Sequence, residues 1–441
     1  MTRGPTPPGF IVAATASGSG KTMLTAGILR RFQRQGVAVA TFKTGPDYID
    51  AAFLAAAAGR DCANLDCWAM RGETIAALAT DLGDDAELII GEGVMGLFDG
   101  ATDGTGSTAD LAAMTGWPVV LVVDVRGQAA SAAAVVRGFA SHRHDVPIAG
   151  VLFNRVGGAS HGELLRDACA ALEVPVLGCI PRGNRLATGE RHLGLVQAGE
   201  QENLERLLDD AAETIAEHVD VAVLQGLAKP TTLIHEGSDT VPVPPLGQRI
   251  AVARDTAFAF CYPWLLDGWR RAGADISFFS PLADEAPDGS ADAVYLPGGY
   301  PELHAARLAA NGAFMTGLRD AAGRGAQIYG ECGGFMVLGQ ALTDGDGVSH
   351  PMAGLLPHAT SFAAPRLHLG YRRLTLAVDG PLGRAGMGFR GHEFHYASIT
   401  DNLTTTPLFE GADAQNRVLD PLGAVAGTVF GSFAHLVDRA P

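Results

Sequence analysis

Two stretches of this chain hold residue types whose order and spacing can do chemistry. The first, Ala14-Thr15-Ala16-Ser17-Gly18-Ser19-Gly20-Lys21-Thr22, follows a short apolar run and opens a helical one, Met23 to Gln33. In that setting small residues let backbone N–H groups wrap a phosphate. Lys21 then reaches the β- and γ-phosphates, and the Thr22 hydroxyl can coordinate Mg²⁺. Ser17, Gly18, Ser19, Gly20, Lys21 and Thr22 therefore form a candidate ATP or GTP loop. It is a variant one, because Thr15 stands where the strict pattern has its first Gly. The second stretch, Gly330-Glu331-Cys332-Gly333-Gly334, lies between a strand-like run and the apolar helical stretch Phe335–Leu342. A sulfur at a tight strand-to-helix turn is a nucleophile elbow, and the following helix N-terminus is expected to lower the pKa of Cys332.

Each stretch needs partners from elsewhere in the chain. Lys43-Thr44-Gly45-Pro46-Asp47-Tyr48-Ile49-Asp50 and Gly91-Glu92-Gly93-Val94-Met95-Gly96-Leu97-Phe98-Asp99-Gly100 each sit just past a strand. That is the edge of an α/β sheet where ligands bind, so Asp47, Asp50, Glu92 and Asp99 are expected to converge on the nucleotide and its metal. Each acid taken singly is also ordinary turn or helix-cap chemistry. Asn154-Arg155 is a candidate reader of the base, and the basic loop Arg182 to His192 a candidate holder of an acidic ligand. For the thiol, a base is required. His435, in Gly431-Ser432-Phe433-Ala434-His435, is the first choice, with His392 and His395 in competition. The Gly pair of Leu296-Pro297-Gly298-Gly299-Tyr300-Pro301-Glu302 offers backbone amides for an oxyanion hole.

The elements that must position these residues follow from hydrophobic patterning. Phe10–Ala14, Val37–Phe42, Glu87–Ile90, Val119–Asp124, Ile148–Phe153 and Val176–Ile180 alternate with Ala-rich helical stretches, which predicts a parallel sheet covered by helices. Residues 229–247 carry Pro230, Pro242, Pro244 and Pro245 without apolar periodicity and read as a linker. A second series then starts: Ile250–Ala253, Ile276–Phe279, Ala293–Leu296, Gln327–Tyr329, a hairpin region across 367–398, and Val425–Phe430 as the last strand. The expected organisation is α/β throughout, with a P-loop domain at 1–228, a linker at 229–247 and a mixed-sheet α/β domain at 248–441.

Composition limits the alternatives. Over 441 residues, 32 Lys and Arg against 48 Asp and Glu leave a net charge of −16, which argues against partners such as nucleic acid or an anionic membrane. Hydrophobic residues at 47% against charged residues at 18% fit a folded globular chain. No apolar run has the length of a membrane span and the start shows no cleavable signal, so the cytoplasm is the expected compartment. Six Cys are too sparse for a disulfide scaffold.

Taken together, these motifs resemble the cobyrinic or hydrogenobyrinic acid a,c-diamide synthases of cobalamin biosynthesis. The likeness rests on the Ser-Gly-Ser-Gly-Lys-Thr loop, Gly45-Pro-Asp-Tyr-Ile-Asp50 and Glu92-Gly-Val-Met-Gly-Leu-Phe-Asp99 in the first half. In the second it rests on Pro297-Gly-Gly-Tyr-Pro-Glu302, Gly330-Glu-Cys-Gly-Gly334, Gly391-His-Glu-Phe-His395 and Ser432-Phe-Ala-His435. The resemblance implies a dethiobiotin-synthetase-like ATP domain followed by a class I glutamine amidotransferase domain. It implies Cys332 as glutaminase nucleophile, His435 as its base, and Gly298, Gly299 and Gly333 around the oxyanion. ATP would be held by residues 17–22 and Asn154, Mg²⁺ by Thr22, Asp47 and Glu92. The tetrapyrrole polycarboxylate would meet Asp47, Tyr48, Asp50, Asp99 and Arg191, with Arg182 and Arg185 as further cations. The implied partners are small molecules, namely the macrocycle, glutamine and ATP, with a homodimer as a candidate assembly. The implied reaction amidates the a and c acetate side chains through acyl phosphates. Amidation of nickel sirohydrochlorin, the related cobyric acid synthase reaction and a non-catalytic P-loop regulator are the alternatives. One departure stands out: Val437 occupies the position two after His435 where the amidotransferase class usually has Glu, so the third triad member is absent or supplied elsewhere.

Overall fold

Seven short segments supply a wholly parallel sheet: β1 (Gly9–Ala14), β2 (Val39–Thr44), β3 (Cys62–Leu65), β4 (Leu88–Glu92), β5 (Val119–Asp124), β6 (Ile148–Val156) and β7 (Val176–Pro181), in the order β3-β2-β4-β1-β5-β6-β7. Strands β1 and β2 are buried at every residue, as expected where helices cover both faces. The computed structural model describes residues 6–183, 201, 203–235, 241–402 and 406–441, and the chain divides into two units, Met1–Trp68 with Gly72–Ser238 and Ala69–Arg71 with Asp239–Pro441. Arg185, Arg191 and His192 lie outside the described residues.

In the first unit the helix Lys21–Arg34 buries Met23, Leu24, Ala26, Ile28, Leu29 and Phe32 against the sheet. Its other flank meets the helix Leu204–His218, where Arg30 pairs with Glu205 and Asp209. The two backbones come so close that a Cβ on Gly27 would lie 2.8 Å from the Ala211 carbonyl oxygen, so glycine sets this packing distance. Strand β3 had no signal in the sequence reading; its four residues, Cys-Ala-Asn-Leu, contain no β-branched side chain.

The second unit is built on a six-stranded sheet of β8 (Arg249–Ala253), β9 (Asp275–Phe279), β10 (Ala293–Leu296) and β11 (Gln327–Glu331), joined by β19 (Ala424–Ala426) and β20 (Val429–Ser432). Its order is β19-β20-β11-β10-β8-β9, with only β19 antiparallel. Beside it lie two four-stranded sheets. One has β12 (Ala341–Thr343), β13 (Ser349–Pro351), β14 (His358–Ser361) and β17 (Ser398–Asn402). The other has β15 (His368–Leu376), β16 (Gly388–His395), β18 (Phe409–Asp413) and β21 (His435–Arg439). Three expectations need correction. The helix after the elbow is Gly333–Leu338, shorter than Phe335–Leu342 and followed directly by β12. The stretch Val425–Phe430 is a hairpin of β19 and β20 rather than one strand. It is also not the last: the bend at Phe433-Ala434 admits β21, whose first residue is His435.

Within the expected linker, Lys229 bridges to Gly9 and Thr232 bonds Thr115, while Val243 accepts from the Trp269 indole. In the second unit the Arg71 guanidinium holds the buried Asp438 carboxylate at 3.0 Å. Among the described residues, no helix is long and apolar enough to cross a membrane, and all six Cys are free thiols.

Candidate active site

In the first unit, β1 delivers the loop 15–20 and the helix Lys21–Arg34 carries its last two functional residues. Gly18 and Gly20 take φ of 72° and 87°, a left-handed conformation that folds successive amides toward one side. Ser19 closes the loop by donating to the Ala16 carbonyl at 2.8 Å. Asn154, at the end of β6, donates its Nδ2 to the Ser19 carbonyl at 2.8 Å, and a Cβ on Gly20 would lie 2.4 Å from that nitrogen. Its Oδ1 accepts from the Arg155 amide at 2.9 Å, so one polar end of Asn154 braces the loop and the other its own strand. Arg155 adds a bond to the Gly18 carbonyl and an ion pair with Asp124.

Around this loop charge is concentrated and paired. The Lys21 ammonium donates to the Met95 carbonyl at 2.7 Å, and burial lowers its pKa. The Thr22 hydroxyl donates to Glu92 Oε1 at 2.8 Å. Lys43, whose side chain is 2% exposed, donates to the same Oε1 at 2.8 Å and to Asp50 Oδ2 at 2.6 Å. Burial works against the Lys43 charge, but Glu92, Asp50 and Asp47 outweigh it and raise its pKa. Burial raises Glu92 in turn, against the pull of Lys43, whereas Asp50 is held below the usual range because Lys43 overcomes its burial. Asp47 is pushed up to about 7 by burial in the recess and by the Asp50 charge. Its Oδ1 caps the helix Ile49–Ala58 through the amides of Ile49 and Asp50, and Tyr48 sits at that same helix start.

The four acids thus part company. Glu92, Asp50 and Asp47 gather about Lys43, while Asp99 accepts from the Gly96 amide at 2.9 Å and ties its own loop. Sequence reasoning quoted Lys43 within its motif but gave it no role, and missed Asn64 on β3, which holds the carbonyls of Gly45 and Asp47 at 2.8 and 2.9 Å. The signal for Lys43 was a lysine one residue from the end of a strand, Val-Ala-Thr-Phe-Lys-Thr, that is otherwise uncharged. Thr22 and Glu92 together offer hard oxygen donors, and Glu92 Oε2 is buried with no hydrogen-bond partner, so this pair fits a Mg²⁺ ion.

In the second unit, β11 runs into Cys332, which takes φ 47° and ψ −103°, a strained value for a residue with a side chain. The turn is possible because Gly330 and Gly334 touch: a Cβ on Gly330 would lie 2.7 Å from the Gly334 carbonyl carbon. The elbow is pinned by the Cys332 amide to the Ser432 carbonyl at 2.9 Å and the Gly334 amide to the Pro297 carbonyl at 3.1 Å. His435 meets the nucleophile at Gly298. A Cβ there would lie 2.4 Å from His435 Cε1, 3.2 Å from His435 Nε2 and 3.4 Å from Cys332 Cβ, so only glycine lets the two come together. Gly333 packs against Gly299, its Cβ position 3.0 Å from the Gly299 amide nitrogen.

The competing histidines surround this pair. His392, opposite His435 in the β16–β21 register, stacks on it at 4.9 Å and 6°, and its Nε2 meets the Tyr262 hydroxyl at 3.0 Å. His395 stacks on Phe433 and His368 instead. The expected lowering of the thiol pKa does not hold. Burial pushes Cys332 up, and the Glu302 charge adds to it, against one hydrogen bond from the Gly333 amide. A six-residue helix has too little dipole to reverse that. Burial, aided by His392 and His395, also holds His435 well below its ordinary pKa. The resting pair is therefore a neutral thiol beside a neutral imidazole, ready to accept the proton.

A phosphate loop with a buried lysine–carboxylate network, and a strained cysteine elbow with a histidine, are the parts of an enzyme that couples a nucleotide to glutamine hydrolysis. The comparisons define the same class. Residues 10–196 match the CobQ/CobB/MinD/ParA nucleotide binding domain, and residues 249–440 the CobB/CobQ-like glutamine amidotransferase domain, so this is a glutamine-dependent amidating ligase. Hydrogenobyrinate a,c-diamide synthase of Brucella anthropi is 52% identical over 431 residues, 98% of each chain. Its counterpart in Brucella abortus is 54% identical over 433 residues, again 98% of each, and that of Rhodobacter capsulatus 50% over 435, covering 98% of this chain and 99% of the relative. The chain belongs to the cobyrinic and hydrogenobyrinic acid a,c-diamide synthase family. The non-catalytic regulatory alternative is thereby set aside.

Proposed function

We propose that this chain converts the a and c acetate side chains of hydrogenobyrinic acid to amides, using ATP and ammonia released from glutamine. The single observation that carries this reading is the similarity along nearly the whole chain to enzymes named for that reaction, with both sets of reactive residues present. At the second unit, His435 takes the Cys332 proton and the thiolate attacks the carboxamide of glutamine. The backbone at Gly298, Gly299 and Gly333 faces the developing oxyanion. His435 returns the proton to the leaving nitrogen, ammonia departs, and water releases glutamate from the thioester.

At the first unit, residues 17–22 hold the ATP phosphates, and Lys21 leaves the Met95 carbonyl to meet the transferred phosphoryl group. A carboxylate is a poor acyl donor, so its conversion to an acyl phosphate makes attack by ammonia feasible. Thr22, Glu92 and Asp47 would hold Mg²⁺. That ion, when bound, neutralises charge on the phosphates. Asp47, Tyr48, Asp50 and Asp99 line the approach of the macrocycle, with Arg191 as a further contact. Six free thiols suit a reducing cytoplasm.

Purified full-length protein with glutamine, Mg²⁺ and ATP is offered hydrogenobyrinic acid and its cobalt and nickel counterparts. Two carboxyl-to-amide conversions on the metal-free ring are expected. Turnover only with a metal-containing macrocycle would move the enzyme to a neighbouring pathway, and none at all would overturn the reading.

A further inference from the structure

The position where this class carries its third catalytic acid holds Val437, and an acid from another strand faces the Nδ1 side of His435. Glu331, the residue before the nucleophile, is buried with its side chain 2% exposed. Its Oε2 lies 3.8 Å from His435 Nδ1. Three donors converge on the same carboxylate. The Tyr295 hydroxyl reaches Oε2 at 2.7 Å; the Tyr329 hydroxyl and the Leu436 amide reach Oε1 at 2.9 and 3.0 Å. Strand periodicity explains the cluster. Tyr329 and Glu331 point to one face of β11, and Tyr295 is the register partner of Tyr329 on β10. The two rings stack at 5.8 Å. Because Leu436 follows His435, the carboxylate that accepts from the backbone next to the base also faces its imidazole.

We infer that Glu331 is the positioning acid of the glutaminase, supplied from the nucleophile's side of the site rather than from the histidine's strand. At 3.8 Å there is no hydrogen bond at rest, so the contact matters once His435 takes the thiol proton and its Nδ1 side becomes part of a cation. A buried carboxylate beside that imidazolium favours the charge-separated state that attacks glutamine. Glu331 stabilises that state without touching substrate, and the inference rests on the glutaminase reading of Cys332 and His435.

Burial pushes Glu331 up to about 7, against the three hydrogen bonds. The titratable groups facing it are Tyr295, Tyr329, Cys261, Cys332 and His435, and those facing His435 from β16 are His392, Glu393 and His395. The base itself titrates well below that range. Glutaminase kcat is therefore expected to fall as pH drops through about 7 in step with Glu331.

The test measures glutamate release and amidation with the full-length protein, supplying either glutamine or ammonium chloride. Glu331→Gln is expected to lower glutaminase kcat roughly 10- to 100-fold, less than the ~10⁴-fold lost with a triad acid that hydrogen-bonds its histidine at rest, because Glu331 stands 3.8 Å from the imidazole. The KM for glutamine stays within about twofold, the acid limb disappears, and ammonia-supported amidation is unchanged. Glu331→Asp is expected to restore part of kcat together with the limb. Tyr329→Phe keeps the ring stack and removes one donor, so the limb moves to higher pH; this variant tests the point even if Glu331→Gln folds poorly. A wild-type kcat and acid limb in Glu331→Gln, or an unmoved limb in Tyr329→Phe, overturns the inference. Cys332→Ala separates the two levels: if it abolishes glutaminase while Glu331→Gln does not, only the positioning role fails. If Cys332→Ala leaves glutaminase intact, the reading of the site falls and the inference with it.

Discussion

The two reactive centres of this chain solve opposite electrostatic problems. Around Lys43, charges are buried in pairs, with Glu92 and Asp50 at 2.8 and 2.6 Å. Around Cys332, burial keeps the thiol and His435 neutral, and the Glu331 carboxylate stands 3.8 Å from the imidazole. The difference follows the chemistry proposed for each centre. Phosphoryl transfer presents full negative charge throughout, so its site must hold fixed cations and counter-charges before the substrate arrives. Glutamine is neutral at the reacting carbon, so its site needs charge only in the transition state and gains by staying uncharged at rest.

The contrast is broken most severely by removing the lysine at the centre of the paired network. Lys43→Met leaves Glu92 buried without its cation and is expected to cost about 3–5 kcal/mol of stability. Chemical denaturation of the first unit reads that loss, and amidation should vanish with either nitrogen source while glutamine hydrolysis persists. Retained amidation would mean that Lys43 is not central to the site. The neutral centre is broken by bulk instead of charge. Gly298→Ala puts a methyl between His435 and Cys332 and is expected to lower glutaminase kcat about 100-fold, as misplacement by an ångström does. Ammonia-supported amidation should be untouched, and a wild-type glutaminase rate would show that the two side chains react elsewhere. The smallest effect is at the loop brace. Asn154→Ala removes one buried hydrogen bond, worth about 1 kcal/mol, and should raise the KM for ATP roughly fivefold with little change in kcat.

Much of this was legible in the sequence because the relevant residues carry local signals. The loop at Gly18–Thr22, the elbow at Cys332 and most strands of both large sheets announce themselves through glycines and apolar runs. What was missed depends on contacts between distant segments. Strand β3 pairs with β2 at the sheet edge despite a composition without β-branched residues, because the helices Ile49–Ala58 and Gly72–Leu82 pack beside it. Strand β21 was hidden because Val425–Phe430 reads as the last strand, whereas β16 offers His435 a paired edge. The thiol pKa was misjudged because a helix dipole can be read locally and burial cannot. Glu331 lies far in sequence from Val437, the position two after His435 where the class usually has its acid. Its own signal, a Glu on the same strand face as Tyr329, gains meaning only when Tyr295 and Leu436 arrive from elsewhere.

The most direct test of the account is amidation by Cys332→Ala, with product mass followed for glutamine and for ammonium chloride as alternative nitrogen sources. The account expects no amidation with glutamine and two amidations of hydrogenobyrinic acid with ammonia, at the wild-type ammonia-supported rate. Amidation from glutamine by this variant, or failure with ammonia despite an intact fold, would contradict the division of labour between the charged and the neutral centre.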